Sequence, residues 1–212
     1  MRIFPYKKAL FLSPHTDDIE FGCGATINRL KSEGLEIFSA VFSFCEESIP
    51  DDLPKDILKK EMYEAAKVLQ INESNIYTFN YPVRRFPEFR QEILENMVQL
   101  KKDIQPDLVF TPSSFDIHQD HEVISKESIR AFRFRTLLGY ELPWNNLKFK
   151  NQFVVKLKSQ NLEKKVAAIN CYKSQRFRKY GNAELFKDGA VVRGIQNKID
   201  LAEIFEVIKM FI

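Results

Sequence analysis

The sequence predicts a single α/β domain with a Rossmann-like, mostly parallel sheet that is covered by helices on both faces. Short, nearly all-apolar segments alternate with longer segments whose apolar residues recur at helical spacing, which is typical of parallel strands joined by helices. A chain of 212 residues is long enough for one such domain and short for two, and no linker, repeat or low-complexity run divides it. We therefore expect one domain over residues 1–212.

The first strand is predicted at residues 8–13 (Lys-Ala-Leu-Phe-Leu-Ser), a short apolar run of the kind that is buried on both faces of a sheet. A helix over 20–33 follows, with Cys23, Ile27 and Leu30 on one side and Gly34 at its end. Residues 35–44 predict the second strand. The same reasoning predicts further strands at 75–79, 107–111 and 151–157, and further helices at 55–69, 89–104, 121–134, 162–172 and 201–210.

Composition and charge exclude several classes of protein. The net charge of +3 is too small to favour nucleic-acid binding. No apolar stretch approaches the roughly 20 residues that span a bilayer, and the N-terminus lacks the apolar run of a secretory signal. The three cysteines are far apart and form no Cys-x-x-Cys pair, which favours reduced thiols in the cytoplasm. Assembly into a homo-oligomer stays open.

Ionisable residues cluster directly after the first predicted strand, in residues 14–18 (Pro-His-Thr-Asp-Asp). In open α/β sheets, ligands bind outside the carboxyl ends of the strands. Imidazole and carboxylate groups suit Zn²⁺, and burying them is costly unless they are paired or bind a cation. The alternative is that Asp17 or Asp18 simply caps the following helix. Capping explains one of the two aspartates but leaves His15 and the second aspartate unexplained.

A second cluster lies at residues 116–121 (Asp-Ile-His-Gln-Asp-His), after the strand predicted at 107–111. His118 and His121 are three positions apart, so a helical turn would place both on one face. The chain contains only three histidines, and all of them fall in these two clusters at strand-to-helix junctions. The conjunction of the two clusters favours a metal site over a coincidence of surface loops.

The two motifs resemble those of the PIG-L/LmbE-like N-acetylglucosaminyl deacetylases. Residues 14–24 are similar to the family's first motif, His-Pro-Asp-Asp, with Thr16 in place of the usual Pro. Residues 106–110 followed by 118–121 are similar to its second motif, His-Pro-Asp-His. Parts of 164–175 and 193–194 are similar to its C-terminal region. The resemblance implies a metal-dependent enzyme that removes an N-acetyl group from an N-acetylglucosamine-type sugar or its conjugate and releases acetate.

The resemblance also implies roles for individual residues. His15, Asp18 and His121 would bind Zn²⁺, with another divalent metal such as Fe²⁺ as an alternative. Asp17 would be the general base, and His118 would stabilise the tetrahedral oxyanion. Asp120 would orient His118 through a ring nitrogen of that histidine.

Residues that would contact the substrate are predicted less specifically. Glu46 follows the second strand and is a candidate to hydrogen-bond sugar hydroxyls; the alternative is that it is a solvated acidic residue of the loop. Arg84 is a candidate to bind a phosphate or carboxylate of the substrate; the alternative is that it has only a surface role. Trp144, the only tryptophan, and Glu141 are candidates for a platform on which a sugar ring stacks; the alternative is that they only pack in the interior. Arg193 resembles a family position near the cleft.

Two further functions compete with the deacetylase. The first is a metal-dependent amidase or deacylase that acts on a different substrate. The second is a non-catalytic sugar- or nucleotide-binding domain, which would not need both aspartates together with the histidines. A dinucleotide-binding site is excluded because no Gly-x-Gly-x-x-Gly follows the first strand.

Overall fold

The computed structural model describes residues 6–211 and contains one seven-stranded, mostly parallel sheet within a single α/β domain. The strands are β1 (Lys8–Ser13), β2 (Glu36–Val41), β3 (Ile76–Thr78), β4 (Leu108–Pro112), β5 (Thr136–Tyr140), β6 (Phe153–Lys156) and β7 (Ala202–Lys209). The α-helices are α1 (Asp18–Ser32), α2 (Ile57–Val68), α3 (Arg90–Ile104), α4 (Gln119–Ala131), α5 (Ser159–Ile169) and α6 (Glu184–Gln196).

The strand order is β3-β2-β1-β4-β5-β7-β6. The five strands β1 to β5 pair in parallel, whereas β7 is antiparallel to both β5 and β6. The chain runs outward from β1 to β2 and β3, and then returns to β4 on the other side of β1. The carboxyl ends of β1 and β4 therefore meet at the point where the strand order reverses, which is where open α/β sheets bind ligands.

Apolar side chains of the strands point alternately into two cores. Ala9 and Phe11 of β1 belong to the core that α1, α2, α5 and α6 cover. Leu10 and Leu12 belong to the opposite core, which α3 and α4 cover. This alternation explains why the middle of β1, residues 9–12, is apolar at every position. The predicted architecture, with helices on both faces of a mostly parallel sheet, is confirmed.

The prediction of a helix at residues 201–210 was wrong, because these residues form β7. The apolar residues of this segment fit helical spacing and a buried strand equally well, and periodicity cannot separate the two. The segment forms a strand because it pairs between β5 and β6, where the consecutive residues Ile204 and Phe205 are both buried. The sequence analysis also missed β5 and α6. No α-helix within residues 6–211 is long and apolar enough to cross a membrane.

Candidate metal centre and active site

The two ionisable clusters come together at the carboxyl ends of β1 and β4. His15 lies in the turn after β1, and Asp18 is the first residue of α1. His121 lies in the first turn of α4, which begins shortly after β4. Because β1 and β4 are neighbouring parallel strands, residues about 100 positions apart in sequence face the same small volume.

Three atoms of metal-binding type lie at nearly equal distances from one another. Nδ1 of His15 is 3.3 Å from Oδ2 of Asp18 and 3.1 Å from Nε2 of His121. Nε2 of His121 is 3.4 Å from the same Asp18 oxygen. Ligands of a tetrahedral zinc ion, at bond lengths near 2.0–2.1 Å, are separated by about 3.3 Å. The donor atoms and their spacing therefore fit a small divalent cation.

His118 lies next to these three residues. Its nitrogen and those of His15 and His121 can all lie within 4.8 Å of one another, so the three histidines form a cluster that could hold a metal. Nδ1 of His118 accepts a hydrogen bond from the backbone N–H of Asp120 at 3.2 Å. In the neutral ring the proton then resides on Nε2, which is left as a donor. Burial, followed by the charges of His121 and His15, lowers the pKa of His118 to about 4, which favours that neutral form.

The carboxylate of Asp120 does not contact His118 in the way that the sequence predicted. Its Oδ2 lies 3.0 Å from Nε2 of His15 and accepts the backbone N–H of Arg84 at 2.6 Å, while Oδ1 accepts that of Phe86 at 3.2 Å. Only the backbone of Asp120 reaches His118. The difference arises at the N-terminus of α4, where the buried side chain of Asp120 points toward the turn after β1 and the loop before α3.

A second carboxylate was missed by the sequence analysis. Oδ2 of Asp116 lies 2.8 Å from Nδ1 of His121, and Oδ1 accepts the backbone N–H of His118 at 2.9 Å. Each of the histidines His15 and His121 thus pairs one ring nitrogen with a carboxylate and turns the other toward Asp18. This arrangement fixes the tautomer and orientation of a metal-binding histidine. The spacing of Asp116 from His118 and His121 was the only signal in the sequence.

The pKa values of three neighbouring carboxyl groups are shifted in different directions. Burial and the charge of Asp18 raise the pKa of Asp17 to about 6. Burial also raises the pKa of Glu20 to about 8, and one oxygen of that buried side chain has no hydrogen-bond partner. Burial would likewise raise the pKa of Asp18, but the imidazoles of His121 and His15 lower it below its usual range. The environment thus separates a charged Asp18 from groups that can hold a proton near neutral pH.

A cavity of about 200 Å³ is lined by five of the ionisable residues described above, namely His15, Asp17, Asp18, His118 and His121. Of the predicted substrate-binding residues, Arg84 and Trp144 line it. Trp144 is stacked on Tyr180 with ring centroids 4.6 Å apart, so one of its faces is already covered. Arg178, which the sequence analysis did not single out, also lines the cavity.

The other three predicted substrate-binding residues lie elsewhere. Glu46 is exposed and does not line the cavity, although the adjacent Cys45 does. Glu141 and Arg193 line a second cavity of about 400 Å³, where the Arg193 guanidinium donates to both carboxylate oxygens of Glu141 at 2.6 and 2.8 Å. The side chain of Phe21 lines both cavities.

The chain is similar in sequence to known proteins of one family. Residues 10–132 match the family described as PIG-L: GlcNAc-PI de-N-acetylase. The uncharacterized deacetylase YaiS of Escherichia coli K12 is 28% identical over 174 residues, which cover 79% of this chain and 91% of that protein.

Two solved structures share the fold. The N,N'-diacetylchitobiose deacetylase of Pyrococcus horikoshii has a TM-score of 0.77 at 21% identity, covering 96% of this chain and 84% of the other. GalB, the 4-carboxy-2-hydroxymuconate hydratase of Pseudomonas putida KT2440, has a TM-score of 0.80 at 19% identity, covering 97% and 98%. The sequence match spans more than half of the chain and includes both ionisable clusters. This protein therefore belongs to the PIG-L family of de-N-acetylases.

Proposed function

We propose that this protein is a zinc-dependent hydrolase that removes an N-acetyl group from an N-acetylglucosamine-type amino sugar or its conjugate, with acetate as the second product. One observation carries the proposal: His15, Asp18 and His121 hold three ligand atoms 3.1–3.4 Å apart, with Asp17 and His118 in the same cavity. A deacetylase needs these parts together, namely a cation, a base and an oxyanion donor. Because the fold is shared with a hydratase, the fold alone does not select the reaction.

His15, Asp18 and His121 would hold the metal. Two imidazoles and one carboxylate are typical of catalytic zinc sites, which keep a fourth position open. When bound, the cation would supply Lewis acidity that polarises the amide carbonyl and makes water more acidic. Fe²⁺ is the alternative, since the same ligands accept both ions. The third histidine, His118, is better suited to the substrate, because the Asp120 backbone N–H already occupies its Nδ1.

Asp17 would act as the general base. It occupies the residue before α1 but makes no capping hydrogen bond with its side chain, so capping does not account for it. Its carboxylate lines the cavity next to Asp18 and would accept the proton of the attacking water. The same group would then return a proton to the departing amine, as a single acid–base residue can do in both halves of the reaction.

His118 would stabilise the oxyanion that forms at the acetyl carbon. Its Nε2–H is the ring donor that remains once Nδ1 accepts the Asp120 amide. A donor of this kind aimed at a developing oxyanion contributes about 3 kcal/mol of transition-state stabilisation. Asp116 and Asp120 would position His121 and His15, respectively, through the hydrogen bonds described above.

Trp144 and Arg84 are the candidates for contact with the sugar and its substituents, because both line the cavity. Glu46 remains a candidate only for parts of the substrate that extend past Cys45. Glu141 and Arg193 are paired with each other in the second cavity, which makes them the least favoured of the predicted substrate-binding residues.

The proposal is tested by metal analysis of the purified protein together with acetate release from free, lipid-linked and nucleotide-linked N-acetyl sugars. We expect about one metal ion per chain and acetate release from at least one class. Metal binding with hydrolysis of other amides only would favour the alternative amidase. A protein that binds sugars but holds no metal and releases no acetate would be a binding domain.

A further inference from the structure

The loop after α5 places a guanidinium beside the catalytic residues proposed above. Arg178 lies in this loop, at residues 173–181, and lines the same cavity as Asp17 and His118. It is partly buried, and its charge acts on Asp17 without forming an ion pair. No role for this arginine follows from the metal site or from the general base.

The hydrogen bonds of Arg178 are incomplete. Its Nη1 donates to the hydroxyl of Tyr180 at 2.7 Å, but Nε is shielded from solvent and has no partner. Two other arginines are paired with carboxylates, Arg193 with Glu141 and Arg90 with Glu127. Within residues 6–211, Arg178 forms no such ion pair. A shielded N–H donor without an acceptor is costly, so this group is suited to an acceptor that arrives with a ligand.

The loop that carries Arg178 is held firmly. The buried Glu61 of α2 accepts hydrogen bonds from the backbone N–H and the hydroxyl of Ser174 at 2.9 and 2.5 Å. At the other end, Gly181 packs so closely on the carbonyl of Gln175 that a Cβ would collide with it. The guanidinium also lies 5.6 Å from the ring centroid of Tyr180. Arg178 is therefore positioned before any ligand binds, which favours recognition over nonspecific attraction.

The charges of the cavity favour an acidic ligand once the metal is present. The carboxylates of Asp17 and Asp18 line it, and so do the guanidiniums of Arg84 and Arg178. These charges balance, so a divalent cation held by His15, Asp18 and His121 would leave the cavity with an excess of positive charge. Arginine presents a planar fork of donors that matches a phosphate or a carboxylate.

From these contacts we infer that Arg178 forms a subsite for an acidic group of the substrate, a phosphate or a carboxylate, next to the N-acetyl group. This inference rests on the proposed deacetylase function and narrows its substrate class to acidic N-acetyl sugar conjugates. The competing role for Arg178 is purely electrostatic, in which it adjusts Asp17 and affects every substrate alike.

The test compares kcat/KM for N-acetylglucosamine, its 1-phosphate, its 6-phosphate and its carboxymethyl glycoside. We expect the wild-type protein to prefer at least one acidic sugar over the neutral one, and Arg178→Gln to reduce this preference at least tenfold. Comparison of the two sugar phosphates with the carboxymethyl glycoside identifies whether a phosphate or a carboxylate is bound. Arg176→Gln is the matched control, because Arg176 is an exposed arginine of the same loop that does not line the cavity. This control should keep the wild-type preference.

No preference in the wild-type protein, or a parallel loss for all four sugars in Arg178→Gln, would overturn the subsite. If none of these sugars and no lipid-linked or nucleotide-linked N-acetyl sugar is deacetylated, the proposed function fails and the subsite is tested by direct binding. Calorimetric titration with inorganic phosphate should then show binding that Arg178→Gln weakens at least tenfold and Arg176→Gln does not. Equal phosphate binding by both variants would reject the subsite independently of catalysis.

Discussion

The carboxylate of Asp120 lies 3.0 Å from Nε2 of His15, a residue 105 positions earlier in the chain. The bond links the first turn of α4 to the turn after β1, and with it the two halves of the candidate metal centre. Asp120 also accepts two backbone N–H groups of the loop before α3, so its position is fixed from three sides. Asp120 therefore holds the Nε2 side of His15, while Nδ1 faces Asp18 and His121.

We expect Asp120→Asn to weaken metal binding by about tenfold to 100-fold, because the carboxylate that orients a metal-binding histidine also increases its basicity. Metal affinity is measured by competition with a chelator. Asp103→Asn is the control, since Asp103 is an exposed residue of α3 whose carboxylate accepts a hydrogen bond from Gln99, far from the metal centre. Wild-type affinity in Asp120→Asn would show that His15 is positioned by other contacts.

Substitution of the proposed base and substitution of a proposed metal ligand should have different effects. Asp17→Asn should retain the metal but lower kcat by roughly 100-fold or more, because the general base is lost while the ligands stay. His121→Ala should lose both metal and activity. Metal content by mass spectrometry, together with acetate release, distinguishes the two variants. A fully active Asp17→Asn would refute its assignment as the base.

Two glycines of α6 make a matched pair for stability. A Cβ at Gly194 would collide with the backbone carbonyl of Asp200, whereas a Cβ at Gly189 meets no atom within 4 Å. Gly194→Ala should therefore lower the free energy of unfolding by roughly 1–3 kcal/mol through overpacking. Gly189→Ala should raise it by about 0.5–1 kcal/mol through helix propensity. Urea denaturation measures both, and equal effects would contradict the packing at Asp200.

A buried ion pair joins α5 to β7. Nζ of Lys165 lies 2.6 Å from Glu203, whose carboxylate also accepts the backbone N–H of Thr26 at 2.7 Å. Lys165→Met should destabilise the fold by about 3–5 kcal/mol, because it leaves a buried carboxylate without its cation. Adding Glu203→Gln should recover part of this loss. Equilibrium unfolding of the single and double variants gives the coupling free energy between Lys165 and Glu203. Strictly additive changes in the free energy of unfolding would show that the two residues are not coupled.

Much of the fold and the position of the candidate site were predictable from the sequence. Strand β1 is apolar because both of its faces are buried, and a ligand site beyond its carboxyl end follows from the topology of open α/β sheets. Three histidines and two adjacent aspartates at strand-to-helix junctions indicated a metal site before any distance was known. Local pattern sufficed here because each motif follows directly from the strand that positions it.

Only the tertiary structure decided which groups meet. The segment forming β7 has a periodicity that fits helix and strand alike, and its place between β5 and β6 selects the strand. The family resemblance implied that Asp120 orients His118, whereas the packing of α4 against the turn after β1 directs the Asp120 carboxylate to His15. Arg178 gave no signal in the sequence, because its role depends on a loop that Glu61 holds from another helix. Contacts between residues far apart in the chain are set by packing, which no local pattern encodes.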